Sequence, residues 1–356
     1  MVPIRVRGIV EVFHPAFTLA LRRKIGEKRL MRVIANVAIH ASQFPEAVRH
    51  DLLESLRRRR VNPKLHYDSV KQIQKWLALH QRHSPSRNDA DCTATYVRCF
   101  AAVASQVKAR RIHLIGLGCG SGQKDTRLLE LLKARGKEVV YSPCDVSTAM
   151  VLLARQAALA VLPERNCFPF VCDLASAKEL PTAFAQSHTS RAARIITFFG
   201  VIPNFEPRAI LPNLASLLRP ADRLLFSANL APGNNYAAGM RRILPQYDNP
   251  LTRDWLMTFL LDLGVARTDG HLRFSIEPGG FGLKRVVARF HFTRPRRIEI
   301  EREPFVFHVG ESIQLFFSYR YTPARLQTVL RQHGLAIREQ WITKSEEEGV
   351  FLCRRG

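Results

Sequence analysis

One run, Arg111 to Leu132 (RIHLIGLGCGSGQKDTRLLELL), constrains the fold more than any other: an apolar strand pattern, a glycine-crowded turn and a helical pattern follow one another without a gap. A strand that breaks into Gly118-Cys119-Gly120-Ser121-Gly122 and re-forms as a helix lets backbone N–H groups approach a ligand with no side chains in the way. The run predicts a nucleotide-type pocket, although the same glycines would also serve a tight strand-to-helix turn. It is not the dinucleotide fingerprint G-x-G-x-x-G, because the sixth position is Ser121 counted from Gly116 and Gln123 counted from Gly118. NAD is therefore disfavoured, and G-x-G-x-G is what stands.

Apolar periods alternate on either side of this turn. Strands are predicted at 111–116, 139–144, 168–172, 194–199 and 222–229, with helices at 123–135, 147–160 and 207–218. Strands separated by helices need crossover connections, so the sheet is mainly parallel and binds ligands at the carboxyl ends of its strands. The stretch 231–310 interrupts the alternation with the turn-rich APGNNY, an apolar helix from Trp255 to Leu263, and strands near 284–292 and 298–308. A helix from Thr322 to His333, a stop at Gly334 and strands at 335–343 and 350–354 then restore it; the short turn between those two strands makes them antiparallel.

The fold class read from this is α/β: a doubly wound, Rossmann-like sheet closed by an antiparallel hairpin, the plan of S-adenosyl-L-methionine (SAM) methyltransferases. A smaller α+β cap and an N-terminal helical extension complete it. The expected domains are a basic helical extension over 1–62, the first part of the Rossmann-like domain over 63–230, a cap over 231–310 and a return over 311–356.

Two acids sit at predicted strand ends. Asp145, in SPCDVS, can accept both hydrogens of a ribose diol, and Asp173, in FVCDLAS, is placed to meet an adenine amino group. Either could instead cap the helix that follows it. The acid usual in such motifs two residues before the first turn glycine is here Gly116, which leaves backbone carbonyls to hold a methionine ammonium.

The formal net charge of +24 attracts anions without naming which. Residues 1–66 hold fourteen Lys or Arg, including Arg57 to Arg60, against five acids, and a second acid-free stretch runs from Lys284 to Arg297. Neither run interleaves aromatics as a single-strand stacking platform would, so a solvated basic face is favoured over a nucleic-acid site. The seven scattered cysteines contain no CxxC pair and read as reduced thiols, with no metal site. No apolar run reaches membrane-spanning length and no signal peptide stands at the N-terminus, which predicts a cytoplasmic protein.

LGCGSGQKDTRLLELL, YSPCDVSTAM, FFGVIPNFEP and SYRYTPARLQTVLRQHGL resemble the histidine-specific α-N-methyltransferases of ergothioneine synthesis. LHYDSVKQIQKWLALHQRHSPSRND resembles that family's upstream Tyr-Asp motif. The resemblance covers roughly Leu65 to the end, is weak over 231–310, and places Gly118, Gly120, Lys124, Asp145 and Asp173 at or beside SAM-contacting positions. It implies that Asn204 and Tyr67 pin the polar head of the substrate amino acid for methyl transfer. Where the family has a second substrate tyrosine, this chain has His83 or Ser84. The family's imidazole-gripping Glu-x-Ser pair is here Phe316 and Ser318, so the serine survives and the carboxylate does not.

The expected activity is SAM-dependent N-methylation of an amino acid or amino-acid-like small amine other than free histidine. Methylation of RNA or another macromolecule is a second reading, prompted by the charge, but Ile202-Pro203-Asn204-Phe205 does not match the motif of base methylation. A SAM-binding protein without catalysis is the third, which Gly116 and Phe316 would fit.

Overall fold

The alternating periods fold into an eight-stranded sheet. In the computed structural model, which describes residues 36–185 and 192–356, its first six strands are β1 (Ala38–Ile39), β2 (Arg111–Leu117), β3 (Glu138–Asp145), β4 (Phe170–Val171), β5 (Ala193–Phe199) and β6 (Arg223–Asn229). Five strands lie outside this sheet: β7 (Gly270–Pro278), β8 (Lys284–Phe292), β9 (Arg296–Ile300), β10 (Glu303–Phe307) and β11 (Ser312–Arg320). The last two, β12 (Leu335–Ile342) and β13 (Glu348–Arg355), rejoin it to give the order β1-β4-β3-β2-β5-β6-β13-β12.

All pairings from β1 to β6 are parallel, and β13 enters antiparallel between β6 and β12. The chain thus builds a Rossmann-like α/β sheet with the antiparallel closing hairpin that its sequence predicts. From β2 the chain steps outward through β3 to β4, then returns to place β5 on the other side of β2. That reversal opens a crevice beyond the carboxyl ends of β2 and β5. Both faces of the sheet are covered, so β2 is buried from Ile112 to Leu117 and reads as a continuous apolar run. Ile210, Leu211, Leu326 and Leu330 pack one apolar cluster, and Phe100, Val103, Leu128 and Leu132 pack another.

A separate core lies under the second sheet, whose order is β11-β8-β7. Trp255, Leu256 and Leu260 of the helix Pro250–Asp262 meet Ala288, Phe290, Ile313 and Leu315 there. Leu56 and Leu65, upstream of the glycine turn by half a hundred residues and more, are buried in the same core. Leu56 belongs to the helix Pro45–Arg57; the helices expected before residue 36 lie outside the described residues.

Three details differ from the sequence reading. The strand expected over 298–308 is the hairpin of β9 and β10, turned by Glu301 and Arg302, both at positive φ (46° and 76°). Such a turn favours Asn or Gly, so a Glu-Arg pair carries no turn signal. No strand is predicted at β7, although Leu272, Phe274 and Ile276 alternate with Arg273, Ser275 and Glu277 in the period of a half-buried strand. β11 was also not expected as a strand, and it pairs with β8 rather than with the large sheet. Residues Val37–Gly356 form one compact unit. Among the described residues, no helix is long and apolar enough to cross a membrane, and no cluster of His, Cys, Asp or Glu could hold a metal ion.

Candidate active site

β2 ends at Leu117, and Gly118, Gly120 and Gly122 then take φ of 58°, 52° and 72°, the left-handed region in which a side chain is strained. A Cβ on Gly118 would lie 2.7 Å from Val201, in the loop after β5, and one on Gly122 would lie 2.7 Å from the Ala154 backbone. Gly118 and Gly122 therefore let neighbouring elements close in. Gly120 differs: only the Trp76 ring stands near its absent Cβ, at 3.6 Å, and it faces a cavity of about 850 Å³. The helix Gln123–Ala134 starts here with no side chain capping its first turn, leaving N–H groups directed to the same space.

Asp145 and Asp173 line this cavity. The Gly120 N–H donates to Asp145 Oδ2 at 2.9 Å and the Ser147 N–H to Oδ1 at 3.1 Å, which ties the acid to the glycine turn. Burial raises the Asp145 pKa, and backbone N–H groups oppose the rise. Ser147, not Asp145, caps the helix Thr148–Ala158. Asp173 accepts from the Ala175 N–H at 2.9 Å and stands at no helix start. Neither acid is an N-cap, so each keeps lone pairs free for a ligand.

The opposite wall is aromatic. A capping box of Ser69 and Gln72 starts the helix Val70–His83, which then carries Trp76 and His80 one turn apart on one face. Their rings stack with centroids 4.8 Å apart. Ring contacts continue from Trp76 to Tyr67 (6.0 Å), from Tyr67 to Trp255 (5.6 Å) and from Trp255 to Phe316 (6.0 Å). The line thus runs from above Gly120 to the second sheet.

Titratable groups along it are held in fixed states. Burial, with the positive charges of Lys124 and Arg87, pushes the His80 pKa down to about 3, and Arg87 Nε donates to His80 Nδ1 at 3.0 Å. That bond assigns the ring proton to Nε2. Burial and the charge of Asp145 push the Tyr67 hydroxyl up, so it stays protonated and able to donate. Burial alone would raise Glu206, but Tyr319, Arg60 and Arg285 outweigh it and hold the carboxyl below its ordinary range. Tyr319 donates to it at 2.7 Å and Arg285 at 2.8 Å.

Of the residues singled out in the sequence, Tyr67, Gly118, Gly120, Lys124, Asp145, Asp173, Asn204 and Phe316 line the one cavity. The Asn204 side chain, in the short turn Ile202–Asn204 after β5, makes no hydrogen bond among the described residues. Lys124 is engaged: its Nζ donates to the Tyr96 hydroxyl at 2.8 Å and lies 3.8 Å from Glu348. Two residues are not brought to the cavity wall. His83 lies on the same side of the helix as Trp76, seven positions on, but at the last helical position, where it is exposed and does not line the cavity. Ser318 is buried behind the wall and accepts a hydrogen bond from Tyr247 at 3.0 Å. The sequence reading missed Trp76, His80, Trp255 and Glu206. The first two were detectable as an i, i+4 pair, whereas Trp255 and Glu206 reach the site only through tertiary packing.

A glycine cradle open at Gly120, an uncapped helix start and two strand-end carboxylates with free lone pairs fit the donors and acceptors of SAM. A sequence model described as histidine-specific methyltransferase, SAM-dependent, matches residues 48–237 and 282–355. The chain is 23% identical over 273 residues to the N-methyltransferase imqF of Aspergillus flavus, covering 75% of this chain and 72% of that protein. Among solved structures it is similar to magnesium protoporphyrin IX methyltransferase (ChlM) from Synechocystis PCC 6803 with bound SAH (TM-score 0.42, 15% identity, 82% of this chain and 97% of that one). It is also similar to the CcbJ methyltransferase from Streptomyces caelestis (TM-score 0.37, 14% identity, 74% and 89%). With the family's sequence pattern running through both the glycine turn and the closing hairpin, the chain belongs to the SAM-dependent histidine-specific methyltransferase family and is a SAM-dependent methyltransferase.

Proposed function

We propose that this enzyme methylates the nitrogen of an amino acid or amino-acid-like amine whose side chain is aromatic or apolar, and that free histidine is a poor substrate. The observation that carries the reading is Phe316 in the cavity wall, in ring contact with Trp255, where the family's imidazole-binding carboxylate would stand. An imidazole N–H facing that ring loses a charge-assisted acceptor, a cost of roughly 1.5–3 kcal/mol. An aromatic or aliphatic group instead gains apolar contact along Tyr67, Trp255 and Phe316.

SAM supplies an electrophilic methyl group on a sulfonium; the chain's own part is to present a neutral amine in line with it. Asn204, whose side-chain amide has no hydrogen-bond partner among the described residues, and Tyr67, with its hydroxyl kept protonated, are the groups we assign to the substrate's carboxylate or amino head. Positioning of this kind supplies on the order of 7–11 kcal/mol of a barrier in well-aligned cases. His80, with its pKa near 3, is a poor proton acceptor at neutral pH. Water or a cavity carboxylate therefore takes the ammonium proton before attack.

Methyl-donor turnover measured across the twenty amino acids and common amines, with the methylated atom identified by mass spectrometry, tests the reading. Turnover on the nitrogen of aromatic or apolar substrates is expected. Methylation of RNA, or of no small amine at all, would contradict it.

A further inference from the structure

Gly116 has no conformational reason to be glycine, since its φ is not positive. Its reason is space. A Cβ built there would lie 2.1 Å from Asp125 Oδ2 and 3.1 Å from the Tyr141 hydroxyl. Asp125, in the first turn of the helix that follows the glycines, thus projects its carboxylate into the volume that a side chain on the strand would fill. This is the position at which such motifs usually carry their acid. We propose that Asp125 is the acid of this SAM site, supplied from the helix instead of the strand, and that its carboxylate meets the methionine ammonium of the cofactor.

Three observations support the assignment. Asp125 lines the cavity beside Gly118 and Gly120, although only 3% of its surface is exposed. Each carboxylate oxygen accepts one hydroxyl, Oδ2 from Tyr141 and Oδ1 from Thr197, both at 2.7 Å, which fixes the group and leaves a lone pair on each oxygen. No ion pair to Asp125 forms among the described residues; the charge of neighbouring Lys124 acts on it only at a distance. A buried carboxylate so held costs the folded protein unless a cation meets it. Burial accordingly pushes its pKa up to about 6, against the hydroxyls of Thr197 and Tyr141 and the charge of Lys124, which lower it.

The inference rests on the cofactor site, and calorimetry separates the two. Wild-type protein is titrated with S-adenosylhomocysteine and with 5′-methylthioadenosine, which lacks the amino-acid end, and Asp125→Asn is titrated with both. Failure of wild type to bind either nucleoside would sink the cofactor site itself. If wild type binds, Asp125→Asn should weaken S-adenosylhomocysteine by about tenfold or more, the loss of a hydrogen bond to a charged group, while leaving methylthioadenosine within about threefold. Equal loss of both ligands, or loss of neither, overturns the assignment and leaves Asp125 a structural residue. Thermal unfolding without ligand verifies the variant's fold, and where the amide does not fold, Asp125→Ser is measured in the same way with the same outcomes.

Discussion

Phe316 and Asp125 show how single positions divide the site. The glycines and strand-end acids were legible in the sequence because strand ends are where an α/β sheet binds ligands, and local pattern alone finds strand ends. Asp125 was not, because its relation to Gly116 is a contact between a helix turn and a strand that no spacing rule encodes. The same holds for His83, read as lining the pocket; His80, one position short of a full turn earlier, lines it instead. Phe316 was legible only through resemblance, and its place beside Trp255 gives it a physical consequence. Replacing it by Glu restores an imidazole acceptor at the cost of apolar contact. Phe316→Glu should bind free histidine about tenfold more tightly than wild type, the equivalent of about 1.4 kcal/mol, as read by calorimetry in the presence of S-adenosylhomocysteine. Unchanged or weaker histidine binding would count against the role given to this ring.

Elements tell a different story, since the large sheet was readable and the second was only partly so. β2, β3, β5 and β6 are buried apolar runs flanked by helices, the pattern from which crossovers follow. β7 carries a legible period-2 alternation of Leu272, Phe274 and Ile276 with polar residues that the sequence reading passes over, and β11 contains a bulge between Gln314 and Phe316 that breaks its period. The helix Pro45–Arg57 was read as part of a basic extension, yet its Leu56 is wholly buried with Leu260, Phe307 and Leu315. Leu56→Ala should therefore lower unfolding free energy by about 2–5 kcal/mol, as a cavity in a packed core does. Denaturant titration reads the change, and a loss below about 1 kcal/mol would mean that this helix is not integral to the second core. The arginines at its end are also engaged: Arg57 forks onto Glu303, Arg59 lies over the Phe307 ring and Arg60 pairs with Glu206. The run is thus tied to the fold while its side chains stay in contact with solvent, Arg58 at 78% exposure.

For the whole molecule, pH is the lever that reaches several buried groups at once. Burial lowers the pKa of His66 to about 4, of His80 to about 3 and of His113 to about 4, with nearby Lys124 and Arg87 adding for His80 and Arg194 and Arg219 for His113. Each therefore binds a proton more readily when unfolded, where its pKa is about 6.5. The stability these groups contribute is present in full above that value and is lost as pH falls toward 4. Asp125 works the other way: raised to about 6, it favours the folded protein as pH falls from about 6 to about 4 and offsets part of the loss. Asp145, also raised by burial, acts in the same direction as Asp125, and three histidines against these two carboxylates set the sign. The thermal midpoint of the ligand-free protein should fall as pH is lowered from about 6.5 to about 4, and a flat or rising midpoint would show that these imidazoles are not held neutral.

The claim at the centre is that one cavity seats SAM on the glycine turn and an aromatic or apolar amine against Tyr67, Trp255 and Phe316. Its most direct measurement is kcat/KM of the wild-type enzyme for free histidine set beside that for its best small amine substrate. A ratio at least tenfold against histidine, about 1.4 kcal/mol of discrimination, is the result predicted, and histidine turning over as well as or better than every other amine is the result that would contradict it.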